Sequence, residues 1–435
     1  MNDRSARKHG ASAWWTAALA LSRHLGARGS TEGVAEAVLA EGGAAGRGRA
    51  EWLLRGALRD YLAIEGILRA RVRRDPQPTV WAALVLAGYE MRERGVEKRA
   101  AVVDFAVGEV AARVGRSAAS FVNAVLRRVA GDPALDADAD AWARAAHPAW
   151  LVQSWERRWG RETVASLLRW NQTPAPTYVW MPQRCRDGAV PAGCAAAPWP
   201  GFFRLEANGW PAVRPLLDEG RGYIRDPMTQ PVVDLPNVRA GMAVLDLCAA
   251  PGGKTVGWMD RLADAGGGRV FAVDLPGDRT ERLRANLARA DAAGVSVEVQ
   301  AGDILEWARG GALPPVGWPT VFDLVVIDAP CSNTGVLRRR PDAKIRLRQM
   351  GARTVGDMVA LQDKLLRVAA EQVRPGGQLL YATCSLEEAE NAAMVRRFCA
   401  SQASFRLERE QMSYPWVDNH DGGGAFLLTR SAGSN

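Results

Sequence analysis

Apolar residues recur every three or four positions along roughly the first 130 residues, and this spacing predicts amphipathic helices. One such face runs from Val103 to Val114, and the next runs from Phe121 to Val129. The pattern ends at Gly131–Pro133, because glycine and proline interrupt helices. We therefore predict an N-terminal all-α bundle over residues 1–145.

The segment Ala11–Ser22 follows basic residues, as the apolar core of a secretory signal does. It contains two tryptophans, however, and no clear small-residue cleavage site follows it. We interpret it as the first helix and expect a cytoplasmic protein. No apolar run approaches the roughly eighteen residues that a membrane span requires, so we expect no membrane partner.

The pattern changes between His147 and about Val233, where short helical patterns precede segments rich in proline, glycine and aromatic residues. Seven of the sixteen tryptophans of the chain lie here. Indole rings stack on unpaired bases in RNA-binding domains, but they also fill the cores of small domains. We interpret residues 146–235 as a small α+β connector, of the kind found in RNA-binding proteins, with most tryptophans in its core.

After Pro236, short apolar runs alternate with helical patterns, which predicts βαβ units around a largely parallel sheet. The predicted strands are Val244–Leu247, Val270–Asp274, Val297–Ala301, Asp323–Asp328, Leu379–Thr383 and Ala425–Thr429. Residues 236–435 are thus predicted to form a Rossmann-like α/β domain. In such sheets ligands bind at the carboxyl ends of the strands, and the candidate functional residues all follow predicted strands.

A tight turn follows the first of these strands in the segment Leu245–Thr255, which reads LDLCAAPGGKT. Gly252 and Gly253 allow a ligand to approach the backbone closely. A phosphate-binding P-loop fits from Gly253 to Thr255 but requires glycine where Cys248 stands. A P-loop ATPase, with Asp328 on magnesium, is therefore disfavoured.

Two aspartates lie at or just after the carboxyl ends of the next strands. Asp274 ends the second strand, where a carboxylate can accept both hydroxyls of a ribose, so the arrangement suits an adenosine-bearing cofactor. Asp303 follows the third strand and is compatible with an adenine contact, although an aspartate at this place is more often a helix or turn cap.

Two cysteines, Cys331 and Cys384, follow neighbouring predicted strands. Buried thiols are usually inert. Ser385 and Glu388 have the spacing of a capping box, which predicts a helix N-terminus just after Cys384. The partial positive charge at such a terminus favours a thiolate, and Cys384 is therefore the better candidate nucleophile.

The chain has 56 Lys and Arg against 48 Asp and Glu, and its net charge of +8 favours a polyanionic partner. A dense basic run follows Cys331. Although such a run is usually a solvated surface, beside two candidate cysteines it predicts contacts to RNA phosphates. Its members are Arg338, Arg339, Arg340, Lys344, Arg346 and Arg348. The six cysteines show no zinc spacing, so no metal is expected.

Three segments together resemble the Sun/RsmB family of RNA cytosine-5 methyltransferases. They are LDLCAAPGGKT, DAPCSNTGVLRRRPDAKIR and YATCSLEEAEN, and they occur in family-like order. The N-terminal half resembles the NusB-like domain of the RsmB branch through WLLRGALRDYLAIEGIL, RSAASFVNAVLRRV and HPAWLV. The resemblance implies a NusB-like helical domain, a connector and a class I methyltransferase domain.

The resemblance also implies S-adenosylmethionine as cofactor and a cytosine of 16S rRNA as substrate, with cytosine 967 as the expected nucleotide. It implies Cys384 as the nucleophile, Cys331 in product release, and Asp328 as a hydrogen-bond partner of the base. The implied cofactor contacts are Cys248, Ala249, Ala250, Pro251, Gly252, Gly253, Lys254, Asp274, Asp303 and Asp328. We expect a monomer.

Two alternatives remain at this point. One keeps the chemistry but acts on another rRNA cytosine or on a tRNA. The other is an RNA-binding assembly factor whose methyltransferase half is inactive, which the presence of both cysteines and of the CAAPGGK segment disfavours. The sequence also departs from the family at Leu275–Gly277, where a second acidic residue is usual, and at the DGGG segment before Ala425.

Overall fold

The computed structural model describes residues 12–26, 46–310 and 315–432. Their contacts divide the chain into two compact units. The first comprises residues 1–173 together with Arg340–Gly351, and the second comprises Pro174–Arg339 and residues 352–435. A short piece of the C-terminal half therefore belongs to the first unit. The three-domain division at residues 145 and 235 stays a prediction.

The first unit is helical throughout its described part. Its helices are α1 (Ala13–Gly26), α2 (Arg47–Arg69), α3 (Pro78–Arg94), α4 (Arg99–Arg113), α5 (Arg116–Ala130), α6 (Ala139–Ala145), α7 (Ala149–Trp159) and α8 (Arg161–Gln172). Val122, Val125, Leu126 and Val129 are buried on one face of α5, as the three-and-four spacing predicts. Helix α1 confirms the helical interpretation of Ala13–Ser22, whereas Ala11 lies outside the described residues.

The second unit begins with a small antiparallel sheet of strand order β2-β3-β1-β4. The strands are β1 (Tyr178–Trp180), β2 (Cys194–Ala196), β3 (Phe202–Leu205) and β4 (Tyr223–Ile224). The short helix α9 (Trp210–Asp218) lies between β3 and β4, and the short helix α10 (Thr229–Asp234) follows β4. Trp180 is buried in this core, as expected, but Trp210 is 48% exposed. The core interpretation thus holds for some of the tryptophans only.

The main sheet of the second unit has seven strands in the order β10-β11-β9-β8-β5-β6-β7. Strands β5 to β9 pair in parallel, whereas β10 and β11 are antiparallel. The bounds are β5 (Ala243–Leu247), β6 (Gly268–Asp274), β7 (Val295–Ala301), β8 (Phe322–Asp328), β9 (Val373–Thr383), β10 (Phe405–Ser413) and β11 (Gly423–Arg430). Each predicted strand lies within one of these, which confirms the Rossmann-like α/β architecture.

Helices cover both faces of this sheet, and apolar cores lie on each side. They are α11 (Gly253–Ala265), α12 (Asp278–Ala288), α13 (Ile304–Gly310), α15 (Arg353–Glu371), α16 (Ala392–Ser401) and the short α17 (Pro415–Asp418); α14 (Asp342–Met350) belongs to the first unit. Strand β10 was not predicted. Among the described helices, none combines the length and the apolar character needed to cross a bilayer.

Candidate active site

The carboxyl ends of four adjacent parallel strands meet at one edge of the main sheet. Strands β9, β8, β5 and β6 are neighbours in that order. Because parallel strands end at the same edge, the loops that follow them share one rim. The sequence-predicted cysteines, the glycine-rich turn, Asp274 and Asp328 are all brought to this rim.

The turn after β5 is shaped by residues that the sequence had singled out. Cys248 and Gly252 have positive φ angles of 63° and 101°, and Gly253 begins α11. The φ of Gly252 lies in the left-handed region, which favours glycine, and a Cβ there would also approach Leu283 Cδ1 to 2.9 Å. The Asp274 carboxylate accepts hydrogen bonds from the backbone N–H groups of Ala250 and Leu275, both at 2.8 Å. Asp274 is thereby fixed beside the turn.

Two residues around this turn have mainly structural contacts. Burial, followed by the charges of Asp274 and other nearby carboxylates, raises the pKa of the Cys248 thiol, which keeps it protonated. Asp303 accepts a hydrogen bond from the N–H of Leu305 at 2.8 Å, just inside the start of α13. This is the helix-capping contact that we gave above as the alternative to an adenine contact of Asp303.

Lys254 and Asp328 form an ion pair that joins the glycine-rich turn to the end of β8. Burial lowers the pKa of Lys254. The charge and the hydrogen bond of Asp328, with a smaller contribution from Cys384, together raise it by more, so the net shift is upward. The ammonium group therefore stays protonated beside the Asp328 carboxylate.

The two cysteines are in contact. Cys331 Sγ and Cys384 Sγ are 3.2 Å apart, and the Cys384 thiol donates a hydrogen bond to Asn333 Oδ1 at 3.1 Å. Cys331 is buried, whereas Cys384 is only partly buried. The hydrogen bond to Cys384 and then burial raise the pKa of Cys331. Cys331 thus stays a thiol, and Cys384 is the more accessible sulfur.

The predicted capping box after Cys384 is wrong. Helix α16 begins at Ala392, and only a three-residue 3-10 turn, Glu388–Glu390, precedes it. The buried Ser385 hydroxyl instead donates to the Glu390 carboxylate. Because no helix begins directly after Cys384, the helix-dipole argument for Cys384 does not apply. Its accessibility now distinguishes it from Cys331.

The first arginines of the basic run are held inside the second unit. Arg338 donates from Nε to Asp421 at 3.1 Å, and Arg339 pairs with both Asp421 and Asp226. Burial and then the charge of Asp226 raise the pKa of Asp421 to about 6, against the two arginines. The two arginines, which follow the Cys331 loop, thus hold that segment against Asp421, just before β11. Their positive charges are paired with carboxylates of the protein itself.

The rest of the basic run belongs to the first unit. Arg340 pairs with Asp342, and the ammonium group of Lys344 donates to the carbonyl oxygen of Arg59 at 2.6 Å and to Gln172 Oε1 at 2.7 Å. Arg346 is half-buried, and Arg348 is exposed. Arg338 and Lys344 are buried, and the RNA contacts of the run stay a prediction.

Lys344 makes the stability of the first unit depend on pH. Burial lowers its pKa from the usual 10.5 to about 7. Below pH 7 the amine is protonated in both states, but between about 7 and 10.5 only the unfolded chain keeps the proton, so stability rises with pH. Between pH 7 and 9.5 we expect a gain of about 3 kcal/mol.

Urea unfolding of the wild-type protein and of Lys344→Met at the two pH values measures this difference. The variant lacks the titrating group, so its unfolding free energy should gain less between pH 7 and 9.5. Equal pH dependence of the two proteins would contradict a buried amine with a lowered pKa.

Three residues near the site were missed by sequence reasoning. Asp246 is buried within β5 and accepts a hydrogen bond from the Thr255 hydroxyl at 2.7 Å; burial raises its pKa to about 7. A carboxylate inside an apolar strand was the available signal. Asn333, with a positive φ of 63°, and the buried Glu390 lie in segments already singled out, but no local pattern marked them.

Two family models match this chain. The model for the 16S rRNA methyltransferase RsmB/F family matches residues 235–423, and the NusB family model matches residues 34–131. The chain is similar to ribosomal RNA small subunit methyltransferase B of Erwinia tasmaniensis, with 30% identity over 86% of this chain and 88% of the relative. The same enzyme of Sodalis glossinidius is 32% identical over 82% of this chain and 79% of the relative.

Solved structures share the fold. The crystal structure of PH0851 matches with a TM-score of 0.76 and 19% identity, covering 97% of this chain and all of that one. The structure of NSun6 from Pyrococcus horikoshii with SFG matches with a TM-score of 0.54 and 15% identity, covering 66% of this chain and 99% of that one. At these identities the likeness concerns the fold alone.

Proposed function

This chain belongs to the ribosomal RNA small subunit methyltransferase B family, and from that premise we propose that it methylates C5 of a cytosine in 16S rRNA with S-adenosylmethionine. The proposed nucleotide is cytosine 967, and the proposed compartment is the cytoplasm. The observation that supports this chemistry most directly is the contact between Cys384 and Cys331 at the rim that also holds the Lys254–Asp328 ion pair.

The residues at the rim fit an adenosine-bearing cofactor. The turn from Cys248 to Gly253 presents backbone without bulky side chains, and the carboxylate of Asp274 lies beside it as an acceptor suited to ribose hydroxyls. Asp303 follows the neighbouring strand β7. When bound, S-adenosylmethionine supplies an electrophilic methyl group.

Cysteine chemistry is needed because C5 of cytosine is a weak nucleophile. The Cys384 thiolate adds to C6, forming a C–S bond and placing electron density on C5, which can then accept a methyl group. The proton that the Cys384 thiol gives up is balanced by one gained at N3, where Asp328 accepts a hydrogen bond from the new N–H group while Lys254 holds the carboxylate in place. A base then removes the C5 proton, and the electron pair of that C–H bond restores the C5–C6 double bond as the C–S bond breaks. The electron pair of the C–S bond leaves with the sulfur, and N3 gives up its proton.

Cys331 is assigned to that last stage. Its thiol contacts the nucleophilic sulfur at 3.2 Å. It can therefore donate a hydrogen bond to the Cys384 sulfur as that sulfur leaves the base as a thiolate. The target base must be unpaired or flipped out to reach these sulfurs.

The test is methylation of purified 16S rRNA and tRNA side by side, with bisulfite mapping of the products. We expect one new 5-methylcytosine in 16S rRNA and none in tRNA. Methylation of tRNA, or of a different rRNA, would assign the substrate elsewhere. Absence of any methylation, together with no S-adenosylmethionine binding by calorimetry, would favour the inactive assembly factor.

RNA contacts of the basic run are proposed for its accessible member, Arg348. We expect Arg348→Ala to weaken 16S rRNA binding severalfold and to reduce the slope of log K against log salt by about one, because one phosphate contact is lost. Filter binding at several salt concentrations measures both. Arg406→Ala removes an exposed arginine of strand β10 and is the matched control; equal effects of the two would assign Arg348 to ordinary surface.

A further inference from the structure

A buried carboxylate connects the loops that carry the two cysteines. Glu390 is fully buried. Its Oε1 accepts hydrogen bonds from the backbone N–H of Ser332 at 2.9 Å and from Gln362 Nε2 at 3.0 Å. Its Oε2 accepts from the hydroxyl groups of Ser332 and Ser385. Each serine directly follows one of the cysteines, so one side chain is bonded to both loops.

Removing a carboxylate from water is costly unless hydrogen bonds replace the lost hydration. Glu390 meets that condition with four donors from three separate parts of the second unit. Such bonds to an ionised acceptor are short and strong, and they hold their donors in one geometry. The carboxylate is therefore suited to fixing the position of a neighbouring loop.

The two loops depend on Glu390 to different degrees. The Cys384 loop has its own anchors on the same chain segment, because Thr383 donates to Asn391 Oδ1 at 2.8 Å and Asn391 Nδ2 donates to the Ser385 carbonyl at 2.8 Å. The Cys331 loop, by contrast, directs both the N–H and the hydroxyl of Ser332 to Glu390.

Other bonds also join the loops. The N–H of Leu386 donates to the Thr334 hydroxyl at 2.9 Å, and the N–H of Gly335 donates to the Cys384 carbonyl at 3.0 Å. These lie beyond Ser332 and hold the far end of the loop.

The Ser332 hydroxyl also contacts the Ser385 hydroxyl at 3.1 Å, and Gln362 Nε2 donates to the Pro330 carbonyl at 2.9 Å as well as to Glu390. Loss of the Glu390 carboxylate should therefore loosen Ser332 and Gln362, on the two sides of Cys331, without separating the loops altogether.

We infer that Glu390 is a positioning residue for product release: it holds the Cys331 thiol against Cys384 and matters less for the attack by Cys384. This inference rests on the proposed function, in which Cys384 attacks and Cys331 assists release. A displacement on the order of 1 Å at a reacting group can reduce a rate about a hundredfold, so a loosened Cys331 loop should slow the release step selectively.

Glu390→Gln is the first test, because it keeps the shape but removes the charge and one acceptor. We expect the first methyl transfer, measured in a single turnover, to stay within about threefold of wild type. Steady-state turnover should fall at least about tenfold, and a denaturation-resistant protein–RNA adduct should appear on gels. A loss of fold alone would not produce an adduct.

A matched pair of serine variants tests the asymmetry even if Glu390→Gln does not fold. Ser332 and Ser385 are both fully buried, and both hydroxyls donate to the same carboxylate oxygen. Ser332→Ala should accumulate the adduct, whereas Ser385→Ala should not. Identical behaviour of the two variants would overturn the inference.

The outcomes separate this inference from the proposed function. Unchanged turnover in Glu390→Gln, or loss of the first methyl transfer without any adduct in the folded variant, would overturn the role of Glu390 while wild-type methylation and its dependence on Cys384 still stand. An adduct that persists when Cys384→Ala is added to Glu390→Gln would instead contradict the proposed nucleophile.

Discussion

Replacing Cys384 by alanine is expected to abolish methyl transfer, with a loss on the order of ten-thousandfold or more. Without the sulfur no bond to C6 forms, and C5 stays too weak a nucleophile to take the methyl group. Transfer of labelled methyl from S-adenosylmethionine to 16S rRNA measures the loss. Cofactor binding should persist, because Cys384 lies at the end of β9 and outside the glycine-rich turn.

Cys399→Ala is the matched control for this experiment. Cys399 is also a free, partly buried cysteine of the second unit, but it lies within α16 and should be replaceable with near-normal activity. Should Cys384→Ala keep its activity while Cys331→Ala loses it, the roles of the two sulfurs are exchanged. Activity in both single variants would contradict covalent catalysis by either cysteine.

Replacing Cys331 by alanine is expected to trap the enzyme on its RNA. The Cys384 thiolate still adds to the base, and the first methyl group is still transferred, but expulsion of the sulfur lacks the thiol that contacts it at 3.2 Å. Turnover should fall by about a hundredfold to a thousandfold, the range of a lost acid–base group. A slowly migrating, denaturation-resistant band on a gel is the direct readout.

Two further variants make this result specific. Cys331→Ala combined with Cys384→Ala should give no adduct, because the attacking sulfur is gone. Cys331→Ser keeps a small polar group in the buried position and guards against a packing defect, whose cost is typically about 1 kcal/mol for one small buried group. Free turnover by Cys331→Ala, with no trapped RNA, would contradict the division of labour between the sulfurs.

The fold of the second unit was readable from the sequence to a large extent. Short apolar runs alternating with helical patterns gave the parallel sheet, since a strand buried on both faces must be apolar throughout. Strand β10 was missed because its central residues, such as Arg409 and Glu410, are exposed and charged. A strand at the sheet edge does not need apolar residues on both faces, and charges there oppose unwanted pairing.

The site was predictable where it depends on chain direction and strand order. Cys331, Cys384, Asp274 and Asp328 were singled out because each lies at or just after the carboxyl end of a predicted strand, and the parallel sheet brings those ends to one rim. The capping box failed because no helix begins directly after Ser385: the next helix begins at Ala392. The Ser385 hydroxyl instead contacts the hydroxyls of Ser332 and Thr334 on the other loop, and such contacts form only when the two loops pack together.

The basic run shows the same limit for charge. Spacing along the chain identified its residues, but the direction of each side chain depends on what surrounds it. Arg338 meets Asp421, which is distant in sequence, and Lys344 meets backbone and amide oxygens of the helical unit. No pattern within the run itself distinguishes these buried cations from Arg348.

The sequence by itself determined most of the helices and strands, the parallel sheet and the position of both cysteines after strand ends, because these follow from the periodicity of apolar residues and from the order of residues along the chain. Only the tertiary structure decided which sulfur is accessible, which cations are buried, and that Glu390 connects the two cysteine loops. Those properties depend on contacts between residues far apart in the chain, and the energies of burial and hydrogen bonding that select them are set only when the segments pack together.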